Sequence, residues 1–306
     1  MQRLRRLVGL LAVTSLVVPF GVATVSAAAT TPSSCVISLS PTATETLFAI
    51  GAGSQVKAVD TDSNFPLRGL PHTRINAFSP SVEGVLGACG AKGVKPHLVV
   101  ISYDANSIAE KLRAVGVTVL NQSAPTSLAG AYAQITALGA ATGHLAAARS
   151  LVATMSRSIT ESIASVPRHP GRSPRVYYEL DPTLYSLTSS TFVGSILQKM
   201  GTVNIADPKN TSADAGYPQL NAEYVVAANP QVIFLADTVC CHASPASVAH
   251  RAGFNHVQAV TDGHVVALND DVASRWGPRL PILVADLARA IRSALADSRL
   301  WVKSKA

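Results

Sequence analysis

The chain carries nearly the same passage twice. Residues 80–86 and 95–101 read Pro-Ser-Val-Glu-Gly-Val-Leu and Lys-Pro-His-Leu-Val-Val-Ile. Residues 218–226 and 229–235 read Pro-Gln-Leu-Asn-Ala-Glu-Tyr-Val-Val and Asn-Pro-Gln-Val-Ile-Phe-Leu. Each copy is a short helical stretch with one glutamate, a proline that cannot continue the helix, and an unbroken apolar run of strand length. An apolar run without polar alternation has to be covered on both faces, as in a parallel sheet between layers of helices. One copy in each half therefore constrains the chain to two related α/β lobes. It also sets a matched pair of acidic side chains, Glu83 and Glu223, one on each lobe.

The remaining segments fit that plan. Residues 35–39, 56–59, 98–101 and 117–120 read as strands, and 109–115 as a helix, with a polar, proline-punctuated loop over 60–80. A helix opens after Ser40, where Pro41 suits the first turn and Thr42 with Glu45 has capping-box spacing; Gly51 and Gly53 are placed to end it in left-handed backbone. Leu145, Ala148, Val152, Met155, Ile159 and Ile163 recur at three- and four-residue steps, which predicts one long helix before Pro167, Pro170, Gly171 and Pro174 break the pattern. Beyond them, strands are expected at 176–180, 232–236 and 264–268, and helices at 192–200, 223–228 and 280–295. The expected organisation is a signal peptide over 1–29, an N-terminal lobe over 30–144, a linking helix over 145–168 and a C-terminal lobe over 169–306. Two α/β lobes joined in this way are expected to leave a cleft between them. A helical link, unlike a Gly/Ser linker, resists wide hinge bending.

Composition narrows the function classes. A chain of 306 residues with 48% hydrophobic content is long enough for two domains. Arg3, Arg5 and Arg6, the apolar stretch Leu7 to Phe20 and small residues around 25–29 make an export signal, and no later apolar run reaches the roughly 20 residues of a membrane span. The mature protein is thus expected outside the cytoplasm, soluble after cleavage. Without the three arginines the net charge falls from +7 to +4, and no basic cluster interleaved with aromatics marks a nucleic-acid surface. Nucleophile elbow, phosphate loop and H-E-x-x-H signatures are missing, and the eight histidines show no metal-ligand spacing, so neither an enzyme nor a bare-metal receptor is favoured. Four cysteines allow three pairings. Cys240-Cys241-His242 offers soft ligands, but a vicinal disulfide or two thiols is the simpler reading. Cys35 as a lipid anchor is disfavoured by Pro32-Ser33-Ser34 and its distance from the apolar stretch.

Residues 35–51, Cys-Val-Ile-Ser-Leu-Ser-Pro-Thr-Ala-Thr-Glu-Thr-Leu-Phe-Ala-Ile-Gly, closely resemble the opening of the cobalamin- and ferric-siderophore-binding proteins of bacterial ABC importers. Asn64-Phe65-Pro66 resembles that family's Tyr-Pro loop, and Arg275-Trp276-Gly277-Pro278-Arg279 its Arg-x-Ser-Pro-Arg segment. The resemblance runs over residues 35–298 and implies two Rossmann-like lobes on one long backbone helix, with the ligand cleft between them. It implies a non-catalytic, monomeric substrate-binding protein that delivers a small-molecule ligand to a permease dimer. That ligand would be a metal complex: a corrinoid first, a ferric siderophore or haem second. Glu83 and Glu223 match the docking glutamates, which meet permease arginines as charge-assisted pairs. Phe65, Tyr103, Tyr185, Asp271, Arg275 and Trp276 are the expected ligand contacts. Ala77 departs from the family, since cobalamin binders place a tryptophan there, with Phe78 its neighbour. The first Glu–Pro interval also exceeds the second by six residues, in a loop holding Cys89. That loop precedes a strand, and Cys35 begins a parallel one at the same sheet edge, so a Cys35–Cys89 disulfide is expected. Cys240 and Cys241 follow a strand at the opposite edge and should not reach that pair.

Overall fold

Each of the two sheets has an interior strand, residues 98–101 or 232–235, that is apolar along its whole length and buried on both faces. The computed structural model describes residues 34–90, 93–168 and 171–297; the signal segment expected at 1–29 lies outside the described residues. The first sheet holds β1 (Val36–Leu39), β2 (Val56–Asp60), β3 (Arg74–Ile75), β4 (Leu98–Ile101) and β5 (Thr118–Asn121) in the order β3-β2-β1-β4-β5. The second holds β6 (Arg175–Glu179), β7 (Val203–Asn204), β8 (Val232–Leu235) and β9 (Val265–Ala267) in the order β7-β6-β8-β9. All named strands pair in parallel. Matching β1 with β6 and β4 with β8 superposes the two orders, so the α/β two-lobe architecture read from the repeats is present. The short edge strand β3 falls within the 60–80 stretch read as a loop, and β7 within a stretch to which the sequence reading assigns no element.

The helices are α1 (Pro41–Ala49), α2 (Val82–Gly87), α3 (Ile108–Ala114), α4 (Leu128–Ala141), α5 (Leu145–Ala164), α6 (Phe192–Lys199), α7 (Ala222–Ala228), α8 (Pro245–Ala249), α9 (Gln258–Thr261), α10 (Asp270–Ala273) and α11 (Leu280–Ala296). The outer faces are covered locally. Ile37, Val99 and Ile101 pack under α2 and α3, and Tyr177, Ile233 and Leu235 under α7 and α8. The inner faces do something different. Val36, Leu98 and Val100 of the first sheet and Val176, Val232 and Phe234 of the second belong to one continuous apolar core. Met155 and Ile159 of α5 and Leu283, Val284, Leu287 and Ile291 of α11 fill it. Each such side chain contributes roughly 1.5–3 kcal/mol on burial, so separating the lobes would expose a large apolar area.

Helix α4 has no counterpart in the sequence reading. It is rich in alanine and glycine, which leaves little amphipathic contrast for a periodicity to reveal. Gly139 serves close packing on α5: a Cβ there would stand 2.4 Å from the Cβ of Ala148. The start of α1 also differs from expectation. Ser40, not Thr42, is the N-cap, its Oγ accepting from Ala43 N at 3.3 Å, and Glu45 points into the protein at 2% exposure. Gly51 closes the helix at φ +87, as expected, with Ala52 N donating to Leu47 O at 2.8 Å. Gly53 does not take up left-handed backbone; it lies against the ring of Phe48, which a Cβ would meet at 2.8 Å.

Cys35 and Cys89 form a disulfide between the start of β1 and the segment after α2, with Cα atoms 5.8 Å apart. Cys240 and Cys241 form a vicinal disulfide in the exposed turn after β8. The first bridge closes a loop with a sequence separation of 54 residues, worth about 4 kcal/mol on the chain-entropy account. Replacing both Cys35 and Cys89 by alanine is expected to lower the unfolding free energy by about 2–4 kcal/mol in urea titrations while leaving far-ultraviolet circular dichroism unchanged.

Candidate functional site

The carboxyl ends of the parallel strands in both sheets open toward a cleft, the position at which open α/β sheets take up ligands. The connection from β9 through α10 to α11 crosses this region. It carries Asp271, Arg275 and Trp276, and its partners lie on the first lobe. Arg275, 7% exposed, donates through Nη1 to Glu45 Oε1 and to Asn64 Oδ1, both at 2.8 Å. Its Nη2 donates to the carbonyl of Asp62 at 3.1 Å and to Asp271. Asp271 in turn accepts from Asn64 Nδ2 at 2.7 Å. Arg279 grips the same glutamate with two nitrogens, Nε to Oε2 at 2.9 Å and Nη2 to Oε1 at 2.6 Å. The hydrogen bonds to Glu45 hold the Arg279 guanidinium above its ordinary pKa against the opposing effect of burial. Phe65 stacks under this guanidinium, with 4.5 Å from Cζ to the ring centroid. Trp276 Nε1 donates to Gln134 Oε1 of α4 at 2.7 Å.

The sequence-derived contacts therefore separate into two groups. Phe65, Asp271, Arg275 and Trp276 come together, but in a network that fastens the α10–α11 connection to α1, α4 and the 62–65 loop. Tyr103 and Tyr185 stand apart from it and are 62% and 41% exposed. Tyr103 follows β4 and pairs with Phe78, 67% exposed, at 6.3 Å between ring centroids. Sequence reasoning missed Glu45 because the spacing of a capping box explained it too readily. A better signal was its setting, a lone acid flanked by Thr42, Thr44, Thr46 and Leu47, all of them buried. Tyr217, half-exposed, was missed for lack of any motif around it.

An apolar cavity of about 250 Å³ lies beside the network. Tyr178, Leu180, Leu187, Phe192 and Val193 of the second lobe line it, with Trp276 and Leu283 at its inner side and Ala124 and Tyr217 toward solvent. A different polar cluster sits across the same sheet, where Arg251 forms a two-pronged pair with buried Glu179 at 2.6 and 2.7 Å. The neighbouring Asp237 carboxyl is buried and neither oxygen has a donor. Burial first, then the charge of Glu179 and a hydrogen bond to it that requires the proton, push the Asp237 carboxyl up to about 7. Burial likewise raises the Tyr177 phenol beside them.

Glu83 and Glu223 are exposed at equivalent places. Each is the second residue of its helix, after an N-cap of Ser81 or Asn221 whose side chain accepts from the backbone N–H of Gly84 or Tyr224. Each helix turns one valine, Val85 or Val225, fully inward. The charge near the helix N-terminus is favourable in both cases. Among the described residues no group of three His, Cys, Asp or Glu could hold a metal ion, and no helix is long and apolar enough to cross a membrane.

Residues 36–272 match the periplasmic binding protein family. A cobalamin-binding protein of Halobacterium salinarum is 30% identical over 262 residues, covering 84% of this chain and 69% of that protein. Among solved structures, the periplasmic haem-binding protein BhuT in complex with two haems is 25% identical, with a TM-score of 0.71, covering 85% of this chain and 98% of that one. The periplasmic vitamin B12-binding protein BtuF of Vibrio cholerae shares the fold at 24% identity and a TM-score of 0.70, covering 86% and 98% of the two chains.

Two stability experiments follow from this geometry. Glu45→Ala leaves Arg275 and Arg279 without their shared carboxylate, and unfolding in urea is expected to become easier by about 3–5 kcal/mol, as for other broken buried pairs. For Asp237 the folded pKa of about 7 exceeds the ordinary 3.8, so between these pH values the native state holds a proton that the unfolded chain releases. Stability from this residue therefore falls as pH rises from about 4 to 7 and levels off above. In Asp237→Asn that slope should flatten and stability at pH 8 should exceed wild type, read from melting temperatures across the pH range.

Proposed function

The chain belongs to the periplasmic binding protein family, and from that premise we propose that it is the exported substrate-binding protein of an ABC importer that captures a corrinoid. The observation that carries the choice of ligand is the exposed Phe78–Tyr103 ring pair on the first lobe, with Tyr185 and Tyr217 exposed on the second. Rings left in water at the mouth of a cleft suit a broad, flat macrocycle, which covers them on binding. The 30% identical cobalamin-binding relative supports the same choice. The protein would act as a monomer and without catalysis, since its family binds and hands over substrates. Arg275 and Asp271 then shape the cleft by holding its walls and leave ligand contact to the aromatic side chains. A haem is the second reading, supported by the BhuT similarity and by phenols at the cleft, because tyrosine is a known axial ligand of haem iron.

Delivery needs a permease, and Glu83 and Glu223 are the proposed contacts. Two carboxylates at equivalent positions on separate lobes suit a two-fold partner offering one arginine per subunit. Cyanocobalamin, haem and a ferric siderophore should be titrated while the intrinsic tryptophan fluorescence is followed, with Trp276 in the cleft wall as reporter. Cyanocobalamin is expected to bind with Kd below about 1 µM and more tightly than the others. The Glu83→Ala/Glu223→Ala variant is expected to keep that Kd while cellular uptake falls by about tenfold or more. Preference for haem or siderophore would overturn the ligand assignment, and undiminished uptake would overturn the docking assignment.

A further inference from the structure

The two disulfides do different work. The Cys35–Cys89 bridge has a sequence separation of 54 and steadies the fold, whereas Cys240 and Cys241 are adjacent, so their bridge closes no length of chain whose entropy it could restrict. Its effect is local. It lies in the turn that leaves β8 at the carboxyl edge of the sheet, just past Ala236, which lines the cavity beside Trp276. The turn is held from beneath. The Asp270 carboxylate accepts from the backbone N–H groups of Thr238 at 2.7 Å, Val239 at 3.0 Å and Cys240 at 2.7 Å. The Asp237 carbonyl accepts from those of Cys241 and Ala243, both at 3.3 Å. With these amides turned inward, the side chains face outward: Val239 is 57% exposed, and both cysteines are exposed. Asp270 opens α10, and Ala273 at its other end lines the same cavity, together with Ser274, Arg275 and Trp276.

Matching β4 with β8 superposes the two sheet orders, so this turn is the second lobe's equivalent of the segment after β4 that carries Tyr103. Where the first lobe offers the exposed Phe78–Tyr103 ring pair, the second offers a valine and a disulfide. We infer that the Val239–Cys241 turn is a ligand-contact platform, a small, stiff apolar face against which a bound corrinoid packs on the second lobe. A disulfide is uncharged and polarisable, and sulfur packs favourably on conjugated rings. Tied across a single peptide bond, these two side chains have little rotamer freedom left to lose on binding. With the sulfurs bonded to each other, neither is a thiolate that would ligate the metal centre, so the contact is one of packing. The exposed valine gains in the same way when an apolar surface covers it. The assignment rests on the corrinoid reading and adds to it a contact that no aromatic side chain supplies.

The test measures cyanocobalamin binding by calorimetry on wild type, Cys240→Ser/Cys241→Ser and Val239→Ser, together with the melting temperature of each free protein. The paired serines keep the size of the cysteines and remove the bridge, while Val239→Ser keeps the bridge and removes apolar surface beside it. Each variant is expected to bind about three- to tenfold more weakly, the value of part of one buried apolar side chain. The melting temperature should stay at the wild-type value, because the bridge closes no loop of chain and Val239 is exposed. An unchanged Kd in either variant, or a loss of affinity that comes only with a lowered melting temperature, would overturn the platform while leaving the corrinoid reading intact. Failure of the folded wild type to bind cyanocobalamin would overturn both.

Discussion

One buried carboxylate organises the cleft. Glu45 leaves the first turns of α1 facing inward and accepts from Arg275 and Arg279, both carried on the connection into α11. A carboxylate at 2% exposure would be costly alone, and two guanidiniums with three hydrogen bonds supply the compensation that burial demands. The same guanidiniums engage Asn64, Asp271 and the face of Phe65, so the 62–65 loop is fixed by the same charges. What a lobe-by-lobe view would treat as a cleft lining is a fastening between elements nearly two hundred residues or more apart.

The apolar interior supports the same arrangement by a different force. The inner faces of both sheets, α5 and α11 share one continuous core, and only the outer faces have separate ones. Directional charge pairs at the cleft and undirected burial behind it reinforce each other. The pairs set register, and the core supplies most of the free energy. Tolerance of a half-exposed aromatic rim follows, because the rings at the mouth are not needed to hold the fold.

Much of this was legible in the chain. Apolar runs such as Leu98–Ile101 and Val232–Leu235 can be read directly, since a strand covered on both faces tends to a near-continuous apolar run. The Cys35–Cys89 bridge was legible because parallel strands share an edge and both cysteines belong to that edge. Helix α4 was not, because alanine and glycine pack closely without leaving a hydrophobic stripe. The site was read less well than the fold. Arg275 and Asp271 stand out in the sequence, but their partners, Glu45 and Asn64, lie more than two hundred residues earlier, and only the tertiary structure reveals that the charges answer one another. Phe78 and Tyr217 gain meaning from exposure, a property that periodicity does not encode.

The equivalent positions of Glu83 and Glu223 have a consequence for how their charges are spaced. Both stand on helices whose inward valines are anchored to sheets that share a common core. The spacing of the two carboxylates is thus set by the interior, and a substitution that repacks the shared core would change it at a distance.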